Sequence, residues 1–386
     1  MSHNFFQVAL KMKRMPRNLS AKMEPVYDYI DKYWKKTRTD LESSDFDLEE
    51  CFTFLYQQLY QENDREEIQR LLTVIFTLKT FLTQVLSEFE HYASSSSTMT
   101  SLGQILLYEK PTVLTFNYDC IIESVLEFAS GVNAPSPPEL VEFIRKVPKS
   151  EELPDNLLSY SFPKWNRPLG YGIKFDEIQL KRPPLFVEGA RFYSDPKNTL
   201  YVPPILKMHG SVNWFKYVHP PTRAWPSIRE PPPPPLGEKE SDLMLSNSKY
   251  WMGAPLDRNG WYVDSVIITP NLYKDRWLQD RPFQQIWSSA KAALLACRKL
   301  VIIGYSFSPT DFNTKKLLLE SLSSTELDEL IVVDPDPSIA SIARNLCHFT
   351  GGVVWHTDLA SYLHGFSGTL ANLRSNELWR RFSSSS

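Results

Sequence analysis

The stretch Val113-Leu-Thr-Phe-Asn-Tyr-Asp119 decides the fold and points to a site. It begins as an apolar, β-branched run that is typical of a buried strand, and two poor strand formers, Asn117 and Asp119, follow the run. If the run is a parallel strand, both polar side chains emerge at its carboxyl end, where open α/β sheets bind ligands. Asp119 also suits the N-cap of a helix that starts at Cys120. Capping that helix needs only one of the two polar residues, so it does not explain Asn117.

Further short apolar runs have the same character. Buried strands are predicted at residues 205–208, 266–269, 300–304, 330–334 and 353–355, and helices at residues 120–128, 283–297, 311–322 and 339–347. Strands that alternate with helices predict an α/β fold with a doubly wound, mostly parallel, Rossmann-like sheet.

The chain divides into three parts. Residues 1–98 hold a short apolar run at 5–10, interpreted as a strand, then an inserted helical block, and a serine-rich link at 93–98. Residues 99–370 form the α/β domain, with insertions at 134–193 and 219–248, and residues 371–386 form a C-terminal tail.

The insertions carry two compositional signals. The aromatic residues of the first are expected to pack on the sheet, because no basic stripe accompanies them as a base-stacking surface would require. The second contains the proline run 231–235, which predicts a stiff extended spacer or, alternatively, a ligand for a proline-binding protein partner.

Composition excludes several classes of partner. The net charge of -3 gives no attraction to nucleic acid or to anionic lipid. No apolar run approaches the roughly 20 residues that span a bilayer, and no secretory leader is recognised. The four cysteines and seven histidines lack metal-ligand spacing. We therefore expect a cytoplasmic protein with no metal, and a homo-oligomer is left open.

A second polar strand end follows the run at residues 205–208. His209 comes next, and its imidazole has a pKa suited to a general base near neutral pH, although a single histidine is equally often structural. Gly210 is expected to let the chain turn sharply and to let a ligand approach the backbone.

Two more strand ends offer groups that suit a nucleotide. Gly304 and Ser306 precede a helix that is capped near Thr310 or Asp311, so backbone N–H groups and hydroxyls are available to a phosphate or a ribose. Asp334 ends another strand, where a carboxylate accepts hydrogen bonds from ribose hydroxyls, although the sequence Asp-Pro-Asp-Pro also favours a plain turn.

Five short motifs follow one another along the chain in this order: Phe-Asn-Tyr-Asp, Met-His-Gly-Ser, Ile-Thr-Pro-Asn, Ile-Gly-Tyr-Ser-Phe-Ser-Pro-Thr-Asp and Val-Asp-Pro. The order resembles that of the sirtuin-like domain family, in particular the zinc-free branch that includes NAD-cleaving bacterial defence effectors. The resemblance covers roughly residues 47–363. It implies an NAD glycohydrolase that releases nicotinamide and ADP-ribose.

The resemblance also implies roles for individual residues. Asn117 matches the asparagine beside the nicotinamide ribose, and His209 matches the catalytic histidine that takes a proton from a ribose hydroxyl or a water. The implied cofactor-binding residues are Asp119 at the nicotinamide amide, Gly304 and Ser306 at the adenosine-side phosphate and ribose, and Asp334 at the adenosine ribose.

The chain departs from the family pattern in two places. It lacks the four-cysteine zinc module of deacetylating sirtuins, so protein deacylation is disfavoured. The family's glycine-rich phosphate loop is replaced by Lys-Met-Lys-Arg-Met-Pro at residues 11–16, where Lys11, Lys13 and Arg14 offer charge but no glycine. The alternative is therefore a catalytically silent sirtuin-like module that binds a nucleotide or a protein.

Overall fold

A computed structural model describes residues 5–10, 23–93, 96–129, 170–173, 175, 177–180, 185–188, 203–218, 243–246, 262–272, 274–308 and 311–375. Within them the chain is a mixed α/β protein. The helices are α1 Phe5–Leu10, α2 Glu24–Trp34, α3 Arg38–Ser43, α4 Leu48–Gln61, α5 Arg65–Ala93, α6 Ser97–Glu109, α7 Ile121–Ala129, α8 Asp275–Leu278, α9 Arg281–Leu295, α10 Phe312–Leu322, α11 Ser338–Leu346, α12 Leu359–His364 and α13 Ser367–Ser375. The strands are β1 Val113–Thr115, β2 Glu177–Leu180, β3 Leu185–Glu188, β4 Ile205–Lys207, β5 Gly210–Val218, β6 Met244–Ser246, β7 Tyr262–Ile267, β8 Lys299–Ile303, β9 Glu329–Val333 and β10 Val354–His356.

The N-terminal run is a helix, so the prediction of a strand at residues 5–10 is wrong. Phe5, Phe6 and Ala9 of α1 are all buried, and both phenyl rings contact Phe81 of α5, with centroids 5.5 and 6.0 Å apart. A short apolar run has no period that separates a helix from a strand. Packing against α5 selects the helix in this case.

The helical block shares its core with the α/β region. Its buried cluster takes in Cys120, Val212 and Ile267. Lys79 of α5 and Asp264 of β7 form a partly buried ion pair, with Nζ 2.7 Å from Oδ2. The serine-rich link is shorter than expected, because Ser96 already caps α6 by accepting a hydrogen bond from the Met99 amide.

Two hydrogen-bonded groups in the described part of the chain consist of parallel pairs alone. β1 pairs with β4, with Thr115 opposite Lys207. β8, β9 and β10 form the other group, in the order β10-β9-β8, with Ile303 opposite Val333. The strands predicted at these positions are confirmed to within two residues at each end.

The third group has five strands in the order β3-β2-β6-β5-β7, and most of its pairs are antiparallel. The run at residues 266–269, expected in the parallel sheet, instead ends β7 and pairs antiparallel with β5. An apolar run indicates that a strand is buried but gives no information on the direction of its partner.

The insertions contribute to this third group. β2 and β3 come from residues 134–193, and β6 comes from residues 219–248. Tyr171 and Phe175 are fully buried beside Trp214 of β5, with ring centroids 5.1 and 5.8 Å from it, as the packing prediction requires. The proline run at 231–235 lies outside the described residues.

The two parallel groups meet through a shared core. Ile205 of β4 and Leu330 of β9 belong to the same buried cluster. Just beyond the strands, Phe116 stacks on Tyr305, with ring centroids 4.6 Å apart. The carboxyl end of β1 therefore lies against the carboxyl end of β8.

At the C-terminus, α13 crosses the predicted tail boundary and ends at Ser375.

Candidate functional site

Asn117 and His209 lie at the same sheet edge. Thr115 is opposite Lys207 in the parallel β1–β4 pair, and the Met208 amide donates to the Thr115 carbonyl at 2.9 Å. Asn117 and His209 each follow these strands by two residues, and beyond the turn at Gly210 the Val212 amide donates to the Tyr118 carbonyl at 2.9 Å. Asn117 is exposed, and its backbone amide donates to Thr115 Oγ1 at 3.2 Å.

His209 is only 6% exposed, and its surroundings are partly polar. The imidazole lies against the Phe116 ring, with centroids 5.4 Å apart, and near the Tyr118 ring at 6.2 Å. It also donates a hydrogen bond to the Phe116 backbone. Nε2 lies 3.7 Å from Oδ1 of Asp311, so a carboxylate faces the ring.

Asp311 joins three side chains that come from different parts of the sequence. Its Oδ1 lies 3.4 Å from Lys274 Nζ, and its Oδ2 accepts a hydrogen bond from the Tyr305 hydroxyl at 2.5 Å. Asp311 occupies the N-cap position of α10, as the sequence suggested, but its side chain makes no capping hydrogen bond. The carboxylate points at His209, Lys274 and Tyr305 instead.

Burial keeps His209 neutral, and the charges of this cluster modify that effect. Burial lowers the pKa of His209 to about 4; the Asp311 charge opposes that shift and the Lys274 charge reinforces it. Burial raises the pKa of Asp311, but His209, Lys274 and the Tyr305 hydrogen bond outweigh burial and leave it below its ordinary value. At neutral pH an ionised Asp311 therefore faces an imidazole that is able to accept a proton.

Asp119 has the capping role that its position suggested. Its Oδ1 accepts a hydrogen bond from the Ile121 amide at 3.1 Å, and α7 starts at Ile121, one residue later than predicted. Its backbone carbonyl accepts a hydrogen bond from Lys207 Nζ. Lys207 therefore ties the segment that carries Asn117 and Asp119 to the end of β4.

Lys207 is part of a buried polar network that sequence reasoning missed. Its Nζ lies 3.1 Å from Oε1 of Glu123, and both side chains are essentially inaccessible to solvent. Tyr171 donates to the same carboxylate at 2.8 Å, and Asn213 donates to the Tyr171 hydroxyl at 3.0 Å. Burial lowers the pKa of Lys207, but Glu123, Cys120 and Asp119 together outweigh burial and the net shift is upward. The lysine therefore stays charged.

Gly210 makes the sharp turn that was expected, and the close approach to its backbone comes from β7. Its φ is +81°, and a Cβ added there would lie 2.1 Å from the Val266 carbonyl oxygen. The glycine is needed because β7 passes so close to the start of β5. The Ile268 amide also donates to the His209 carbonyl at 2.8 Å, which fixes the turn beneath the imidazole.

The ends of β8 and β9 carry the other three candidate residues. Gly304 is exposed with φ +60°, no atom lies within 4 Å of where a Cβ would be, and its amide donates to the Val333 carbonyl at 2.9 Å. Ser306 is also exposed. Asp334 is half-buried, and its Oδ1 accepts a hydrogen bond from the Asp336 amide at 2.9 Å. This hydrogen bond is typical of the turn that the sequence Asp-Pro-Asp-Pro also favours. These residues therefore follow a different hydrogen-bonded group from β1 and β4, and the two groups meet at the contact between Phe116 and Tyr305.

In the described part of the chain, no group of three or more His, Cys, Asp or Glu side chains is arranged to hold a metal ion. No described helix combines the length and the apolar character needed to cross a bilayer.

Comparison with known proteins does not place the chain in a family. No protein-family model matches it, and no curated protein sequence matches it significantly. A function for this chain therefore has to be argued from the residues at the edge formed by the ends of β1, β4, β8 and β9.

Proposed function

We propose that the chain is a sirtuin-like NAD glycohydrolase that cleaves NAD to nicotinamide and ADP-ribose and acts as a defence effector. The observation that supports this best is a neutral, buried His209 beyond the end of β4, which pairs in parallel with the strand that leads to Asn117. A doubly wound, Rossmann-like arrangement of the parallel strands is part of the proposal. A ligand beyond the carboxyl ends of such strands would contact both residues.

The reaction suits these side chains. The bond between ribose C1′ and the nicotinamide nitrogen breaks, and its electron pair leaves with nicotinamide, which becomes neutral. The ribose develops an oxocarbenium-like cation, a water oxygen bonds to C1′, and a water proton passes to His209 and then to solvent. Asn117 holds the ribose and the water in place, and Asp311 stabilises the imidazolium that forms.

The remaining strand ends would hold the rest of the dinucleotide. Gly304 offers an unobstructed backbone to the diphosphate, because nothing occupies the space where a Cβ would be. Ser306 offers a hydroxyl, and Asp334 offers a carboxylate to the adenosine ribose. Asp119, oriented by the Ile121 amide, would face the nicotinamide amide.

A silent nucleotide- or protein-binding module is the second candidate, and α1 favours it. Phe5–Leu10 is a helix, so it is not the strand that leads into the family's phosphate loop. Lys11, Lys13 and Arg14 lie outside the described residues. In this alternative the same edge binds its ligand without cleaving it. A partner for the proline-rich loop, a cytoplasmic location and a homo-oligomer stay predictions.

The test is an incubation of the purified full chain with NAD. Chromatography would quantify nicotinamide and ADP-ribose, which we expect in equal amounts. His209→Ala and Asn117→Ala should each lower the rate, His209→Ala by about 100-fold or more, because general base catalysis contributes at least that much. Asp328→Asn, which removes an exposed carboxylate that pairs with Arg298, is the control and should leave the rate unchanged.

Two results would overturn the assignment. If both variants cleave NAD at the rate of the unaltered chain, His209 and Asn117 are not the catalytic residues. If the unaltered chain releases no nicotinamide but binds NAD by calorimetry, the silent module replaces the glycohydrolase.

A further inference from the structure

Asp311 occupies a helix N-cap position, but its carboxylate does not cap the helix. An aspartate at an N-cap usually accepts a hydrogen bond from a helix amide, an interaction typically worth about 1 kcal/mol. Asp311 has the N-cap position of α10 without that bond, and its side chain is 6% exposed. The carboxylate instead contacts two cationic or polar groups and the imidazole, so the structure uses it for something other than capping.

The partners of Asp311 fix its position from two sides. Tyr305 follows β8 and donates its hydroxyl proton to Oδ2 at 2.5 Å, while its ring stacks on Phe116. Lys274 lies in the segment between β7 and α8, and its Nζ is 3.4 Å from Oδ1. His209 Nε2 is 3.7 Å from the same oxygen. Lys274 and His209 therefore share one carboxylate oxygen.

We propose that Asp311 is the positioning residue of His209, and that Lys274 is a counter-charge that acts with burial to keep the imidazole unprotonated until the reaction supplies a proton. The catalytic part of this inference rests on the proposed function, whereas the electrostatic part does not. Asp311 faces Nε2 at 3.7 Å and stabilises the imidazolium once His209 has accepted a proton. Lys274 opposes early protonation by charge repulsion.

The groups around His209 determine whether each substitution raises or lowers its pKa. Asp311 from the start of α10 favours the imidazolium, and Lys274 from the segment after β7 disfavours it. Tyr305 and Tyr118 are phenols whose pKa burial raises, so they stay neutral beside the ring. Removing the lysine charge must therefore raise the pKa of His209, and removing the aspartate charge must lower it.

The experiment is an NMR titration of the full chain labelled with ¹³C at histidine Cε1. The His209 signal is identified by its loss in His209→Gln. We expect Lys274→Met to move the His209 midpoint to higher pH and Asp311→Asn to move it to lower pH. Lys274→Met is the stronger test, because an upward shift moves the midpoint away from the acid range in which the protein unfolds. Asp328→Asn is the control and should leave the midpoint unchanged.

Activity adds a second readout. Asp311→Asn should lower kcat for NAD cleavage by about tenfold or more, since it weakens a general base. Lys274→Met should move the acid limb of the pH profile upward, which a purely structural role would not do.

The outcomes separate the two proposals. A His209 midpoint that does not rise in folded Lys274→Met overturns the positioning proposal, even if NAD is cleaved. A chain that cleaves no NAD but shows the expected shifts overturns the glycohydrolase and leaves the electrostatic pairing of Asp311, Lys274 and His209 intact.

Discussion

Acidification should destabilise the fold through His209 in particular. The pKa of His209 is about 4 in the folded chain and has its ordinary value of 6.5 when the chain unfolds. Between these values the unfolded state binds more protons, so stability rises with pH. Lowering the pH from 7 to 5 should therefore remove about 2 kcal/mol of the free energy of unfolding through this one group.

The assay is urea unfolding of the unaltered chain and of His209→Gln at several pH values from 7 to 5. Other groups also titrate in this range, but the difference between the two proteins isolates the histidine. The unaltered chain should lose about 2 kcal/mol more than the variant over this interval. Equal losses in both proteins would show that His209 is accessible and protonates freely in the folded state, which would refute the reasoning.

Two further predictions concern stability. Gly210→Ala should lower the free energy of unfolding in urea by about 3 kcal/mol or more, because the new Cβ would meet the Val266 carbonyl. Gly304 has a similar φ but open space around it, so Gly304→Ala should lower the free energy of unfolding by only about 1 kcal/mol. Equal losses in the two variants would contradict the close approach of β7. Lys207→Met should cost about 3–5 kcal/mol by leaving Glu123 buried and unpaired, and adding Glu123→Gln should recover part of the loss. Strictly additive losses would show that the two side chains are not coupled.

The strand and helix pattern of the α/β region could be predicted because it depends on local periodicity. The runs that became β1, β4, β8 and β9 are short, apolar and followed by polar residues or glycine. Parallel pairing then brought the carboxyl ends of β1 and β4 together, whereas the convergence of the Asn117 and His209 side chains on one ligand stays a prediction.

The features that the sequence did not reveal depend on distant contacts. Phe5–Leu10 is too short for its period to be recognised, and its contact with α5 decides its conformation. Asp311 has a local explanation as a cap, so nothing in its neighbours indicates that it turns towards His209. Lys207 is fully buried, which is rare for a lysine and becomes understandable only once its partner Glu123 is known.

Gly210 shows the same limit in a different form. A glycine behind a strand end indicates a close approach to the backbone, but the sequence does not say what approaches. In this chain it is the Val266 carbonyl of β7, which comes more than fifty residues later. A ligand that approaches the backbone and a neighbouring strand that does so both require a glycine, so the sequence does not distinguish between them.

The most direct test of the account is a crystal structure of the full chain with ADP-ribose. We expect the adenosine ribose at Asp334, the diphosphate over Gly304 and the terminal ribose between Asn117 and His209. Electron density for the ligand at another surface, with these four residues free of contact, would contradict the claim that the ends of β1, β4, β8 and β9 form a single nucleotide site.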